Sequence, residues 1–70
     1  MNSSAKPVQL VLQSTVQFAD NKPRYLIYSD RRNSANTDNV LNATVFTSDQ
    51  SAQHVRSMFA GRYIVTPKPL

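Results

Sequence analysis

Arginine and tyrosine supply the chemistry that stands out in this chain. Arg24, Tyr25, Tyr28, Arg31 and Arg32 fall in one short stretch, and Arg56 follows further along. A guanidinium is a planar fork of donors that matches a carboxylate or a phosphate, while a tyrosine ring stacks on a base or anchors a protein interface. These six residues are the candidate binding set. The structural alternative is that the tyrosines are half-buried in a sheet and the arginines solubilise a loop, with Asp30 pairing locally.

No arrangement of residues points to catalysis. His54 is the one histidine and there is no cysteine, so a metal site would have to be assembled from aspartates scattered along the chain. No serine stands in a glycine-flanked nucleophile turn, and no histidine–acid pair has a recognisable spacing. The sequence predicts no enzyme, no catalytic residue, no cofactor and no metal. Asn42-Ala43-Thr44 and Asn2-Ser3-Ser4 match the glycosylation acceptor pattern, but triplets of this kind arise by chance in an asparagine-rich chain.

Composition narrows the class of partner. Eight Lys or Arg stand against four Asp and no Glu, giving a net charge of +4. The long-range field of such a chain favours an acidic partner, either a protein or ribonucleoprotein surface or a nucleic acid. The absence of cysteine removes the disulfides on which small secreted domains rely, and a cytoplasmic location is expected. No apolar run is long enough for a signal peptide or a membrane span, so no membrane partner is expected.

Seventy residues make one domain with a thin core, since a chain of this size buries only about 60% of its unfolded surface. Residues 1–7 read as a flexible tail and residues 8–70 as the domain. From Val8, the residues Leu10, Leu12, Val16 and Phe18 share one strand face, with Gln9, Gln13, Thr15 and Gln17 on the other. Asp20 to Pro23 is a turn, and a second strand is predicted over Arg24 to Ser29. The apolar set of that strand does not decide which face is core.

Asp30 to Asn39 has almost nothing apolar and reads as a long exposed loop. A third strand is then predicted over Val40 to Thr47, with apolar residues on both faces. Ser48 is a good N-cap, Ala52, Val55, Met58 and Phe59 recur at helical spacing, and Gly61 suits a left-handed C-cap, so a helix is predicted from Asp49 to Ala60. Met58 and Phe59 are assigned to its core side. A last strand, Arg62 to Thr66, ends at Pro67.

The expected fold is α+β, a four-stranded, mostly antiparallel sheet in the order β-β-β-α-β with one helix packed on one face. The uncovered face, or a terminal strand edge, leaves pairing with a second copy open. The function expected is a small non-catalytic protein-binding module, of the size and style of phage-type or mobile-element inhibitors and adaptors, docking on an acidic surface. The alternative is a nucleic-acid-binding module with a basic and aromatic sheet face. Against that alternative stand the modest net charge, the lack of a lysine cluster and the near absence of glycine.

Overall fold

The computed structural model describes residues 9–30 and 32–69; the expected tail, Val8 and Arg31 lie outside the described residues. Four strands form one antiparallel sheet: β1 (Leu10–Ser14), β2 (Tyr25–Tyr28), β3 (Ser34–Thr37) and β4 (Tyr63–Pro67). Their order across the sheet is β3-β2-β1-β4. Among the described residues a single α-helix, α1 (Asp49–Ser57), packs against β1 and β4. The α+β architecture read from the sequence is the one observed, with a different third strand.

That strand lies inside the stretch expected to be loop. Ser34, Ala35, Asn36 and Thr37 pair with Tyr28, Ile27, Leu26 and Tyr25 respectively. Asp30 makes the hairpin by taking up the turn's amides, its carboxylate accepting from Arg32 N at 2.8 Å and Asn33 N at 3.0 Å. An edge strand needs no buried side chains of its own, which is why an all-polar segment can form one. The predicted strand over Val40 to Thr47 is instead a single 3₁₀ turn, Val40–Asn42, followed by an extended segment. The Asn39 carboxamide caps the turn by accepting from Leu41 N at 3.0 Å.

The extended segment does something a regular strand could not. β1 and β2 meet at Gln13↔Tyr25 and then diverge. Thr44 and Phe46 enter the gap between them. Thr44 N donates to Leu26 O at 3.1 Å, and Leu10 and Phe46 exchange two backbone bonds of 2.8 Å each. The Thr44 hydroxyl accepts from Tyr28 N at 2.8 Å and donates to Tyr28 O at 3.3 Å, in place of a neighbouring strand's backbone. The wedge thus satisfies polar groups of both strands that would otherwise be without partners.

The wedge also divides the core. On the helix side, Leu10, Leu12, Leu26, Phe46, Ala52, Val55 and Tyr63 form the larger cluster, flanked by Tyr28, Phe59 and Val65. Complete burial of Leu12 and near-complete burial of Leu26 contribute about 1.5–3 kcal/mol each before entropy. The opposite face, uncovered on the sequence reading, is closed in part. Val11 is wholly buried there beside Tyr25 and Ala43, with Val40 packed against them.

Ser48 caps α1 as its sequence position implies, its hydroxyl accepting from Ser51 N at 3.1 Å. The helix stops at Ser57, earlier than the apolar spacing suggests, because the chain turns through left-handed Ala60 (φ 50°) and Gly61 (φ 80°). Met58, placed in the core by its spacing, is 37% exposed in that turn, while Phe59 does pack on the larger cluster.

Thr44→Val keeps the shape of the wedge and removes its hydroxyl, leaving Tyr28 N and O without a partner. It should destabilise the fold by about 1–2 kcal/mol in urea unfolding, and Thr44→Ser should recover most of the loss.

Candidate interaction surface

The expected binding residues do not converge. β2 alternates its side chains, so Tyr25 lies on the face with Val11 and Ala43, and Tyr28 lies on the helix face. Tyr25 is only 7% exposed. Tyr28 is half-buried, edge-to-face on Phe59 at 6.2 Å, and Phe59 meets Tyr63 in the same manner at 5.3 Å. The Tyr63 hydroxyl donates to Asn36 Oδ1 at 2.7 Å, tying one outer strand to the other across the helix face. These aromatic rings are engaged within the protein.

The arginines are divided between the two ends of the sheet. Arg24 precedes β2 and Arg32 lies in the turn beyond it, and the five steps from Arg24 to Ser29, at about 3.3 Å each, already separate them by roughly 16 Å. Arg32 is exposed, beside the β2–β3 turn. Arg56 is half-buried: its Nε donates to Tyr63 O at 2.9 Å and an Nη donates to Gln53 Oε1 at 3.4 Å, so it fastens α1 to β4. Arg31 lies outside the described residues. His54 sits on the exposed side of α1.

Arg24 has a structural task at the start of β2. Its guanidinium bridges Asp20 Oδ2 at 2.7 Å, donates to Lys22 O at 3.2 Å and lies 4.7 Å from the centre of the Phe18 ring. Asp20 also accepts from Lys22 N at 3.0 Å, and Asn21 takes the left-handed conformation (φ 58°) that asparagine tolerates. The hydrogen bond from Arg24, and then that from Lys22 N, hold the Asp20 carboxyl below the ordinary aspartate range. The same bond raises Arg24 above its ordinary value. The bonds from Asn33 and Arg32 N lower Asp30 in the same way.

This clamped β1–β2 connection encloses an open groove of about 380 Å³, lined by residues of the β1 end and the loop from Gln13 to Pro23. Val16 stands 56% exposed in its wall, and Lys22 is exposed beside it. The turn after α1 reaches the same end, because Thr15 N donates to Arg62 O at 2.8 Å and the Thr15 hydroxyl does so at 3.1 Å. Arg62 is therefore a neighbour of the groove. Among the described residues, Arg24–Asp20 is the one ion pair; Asp38 also lies near Arg24, and Lys22 and Arg62 leave this end with a small excess of positive charge.

The sequence reading placed Val16 and Phe18 on the apolar face of the first strand, which ends instead at Ser14, and gave Lys22 and Arg62 no part in binding. The separation of Asp20 from Arg24 around an Asp-Asn-Lys-Pro turn was the signal that Arg24 would be spent locally. Nothing in the sequence brought Arg62 toward Lys22, since that proximity depends on the β1–β4 register.

Compared with known proteins, the chain matches no family model, no curated protein and no solved structure. Among the described residues no helix is long and apolar enough to cross a membrane, and no group of three or more His, Cys, Asp or Glu is placed to hold a metal ion.

The depressed carboxyls give the fold an acid limb. A carboxyl whose folded pKa is lowered contributes stability that is present above its unfolded pKa, about 4, and is lost as the pH falls through the folded value. Thermal unfolding followed from pH 5 down to pH 2 should therefore show stability falling in the wild type. In Asp20→Asn the fall should be shallower, with Asp30 supplying what remains.

Proposed function

We propose that this protein is a small non-catalytic protein-binding module that acts in the cytoplasm and docks end-on against an acidic surface of a larger protein or complex, in the manner of a phage-type inhibitor or adaptor. The observation that carries the reading is the groove at the β1–β2 end, where exposed Val16 and Lys22 stand on a loop pinned by the Arg24–Asp20 pair and exposed Arg62 adjoins it through Thr15. A preorganised loop loses little conformational entropy on binding. The exposed apolar side chain supplies buried area at the centre of a contact, and the two flanking cations speed encounter with an acidic partner.

Arg24 contributes to this site by shaping the loop, and Lys22 and Arg62 take the role first expected of the arginine and tyrosine stretch. Arg32 and Lys68 lie at the other end of the sheet, since Tyr28 pairs with Ser34 and Lys68 N donates to Gln9 O. Lys68, away from β3, is the natural control.

The test is capture of partners from nuclease-treated host lysate by the tagged protein. Lys22→Glu with Arg62→Glu should reduce recovery of an acidic protein partner about tenfold, while Lys68→Glu should leave it nearly unchanged. Equal recovery from the double variant and from Lys68→Glu would overturn the assignment of the groove. Loss of all retained material on nuclease treatment would replace it with the nucleic-acid reading, in which affinity falls steeply with added salt.

A further inference from the structure

The two edges of the sheet are treated differently. In β4, Thr15 N donates to Arg62 O and Lys68 N to Gln9 O, so the even-numbered residues turn their backbone groups toward β1 and Tyr63, Val65 and Pro67 turn theirs outward. Of those outward groups, Tyr63 O is taken by the Arg56 guanidinium and Pro67 has no N–H to offer. A side chain and a proline are familiar means of blunting an edge.

The β3 edge has no such cover. Ser14 N donates to Arg24 O and Ser29 N to Asn33 O, so Asn33, Ala35 and Thr37 face β2 while Ser34 and Asn36 present N–H and C=O groups outward. Neither pair of outward groups has a backbone partner among the described residues. Every side chain from Ser34 to Asn36 is exposed, and none is bulky.

The residues flanking this edge are complementary to themselves. If two copies pair antiparallel through their outward groups, Ser34 of each faces Asn36 of the other and Ala35 faces Ala35 on the two-fold axis. The same register sets exposed Arg32 opposite exposed Asp38, twice over. Sliding the pairing by two residues breaks both charge matches, and sliding by one turns inward-facing backbone groups toward the partner.

We propose that the protein forms a symmetric dimer through the β3 edge in this register, joining two four-stranded sheets into one of eight strands. The axis runs perpendicular to the sheet, so both helices lie on one face and the two grooves point to opposite ends. The dimer is independent of what the groove binds. It makes the module bivalent.

A chain without cysteine permits a direct test. The Ala35 pair on the axis is a non-hydrogen-bonded pair with Cα atoms about 4.5 Å apart, inside the range a disulfide spans. Under mild oxidation Ala35→Cys should convert to a covalent dimer, while Ile64→Cys, likewise exposed on β4, should remain monomeric. In the Ala35→Cys background, Arg32→Asp alone or Asp38→Arg alone should slow cross-linking about tenfold, and the two together should restore it. Sedimentation of the wild type at rising concentration should show reversible dimerisation. Cross-linking of Ala35→Cys no faster than Ile64→Cys, or no rescue by the charge exchange, would overturn the proposal.

Discussion

The fold depends on one hydrogen-bonded wedge. β1 and β2 share a single close pairing at Gln13↔Tyr25, and beyond it the sheet is held together by Thr44 and Phe46 lying between them. Such an insertion is costly unless the polar groups it separates are given new partners. Here the Leu26 carbonyl, both backbone groups of Tyr28 and both of Leu10 are bonded to the inserted segment. Because the segment crosses the sheet rather than extending it, Ala43 seals Val11 on one face while Phe46 enters the larger core on the other. A chain too short for a thick core thereby closes two thin ones.

The arrangement of the surface follows from that geometry. β1 and β2 are joined at the end where their connection leaves the sheet, and Arg24 draws that broad loop together by bonding Asp20 and the Lys22 carbonyl while lying over Phe18. The β1–β4 ladder then carries the turn after α1 to the same end, adding Arg62 to Lys22. Arg56 is drawn away from this group by the Tyr63 carbonyl, where it protects an edge. Opposite that protected edge, β3 keeps its backbone groups turned outward.

Much of this was legible in the sequence, and the parts that were not have physical reasons. The alternation around Leu10 and Leu12, the Ser48 cap and the spacing of Ala52 and Val55 identify β1 and α1, since each is amphipathic and faces one core. β3 carries no apolar signal because an edge strand is held by its backbone, so Ser34–Thr37 reads as loop. Val40 to Thr47 alternates convincingly, yet its apolar residues serve a 3₁₀ turn and a wedge that contacts both faces. The arginine and tyrosine stretch looks like one site in the sequence. Strand alternation separates Tyr25 from Tyr28, and the length of β2 separates Arg24 from Arg32.

Native-state hydrogen exchange measured residue by residue tests the wedge most directly. The amides of Leu10, Tyr28, Thr44 and Phe46 are each donors across the gap, and the account predicts protection close to that of the β1–β4 ladder, reached through opening of the whole domain. Exchange of the Tyr28, Thr44 and Phe46 amides at the rate of the exposed loops, with the β1–β4 ladder still protected, would contradict it.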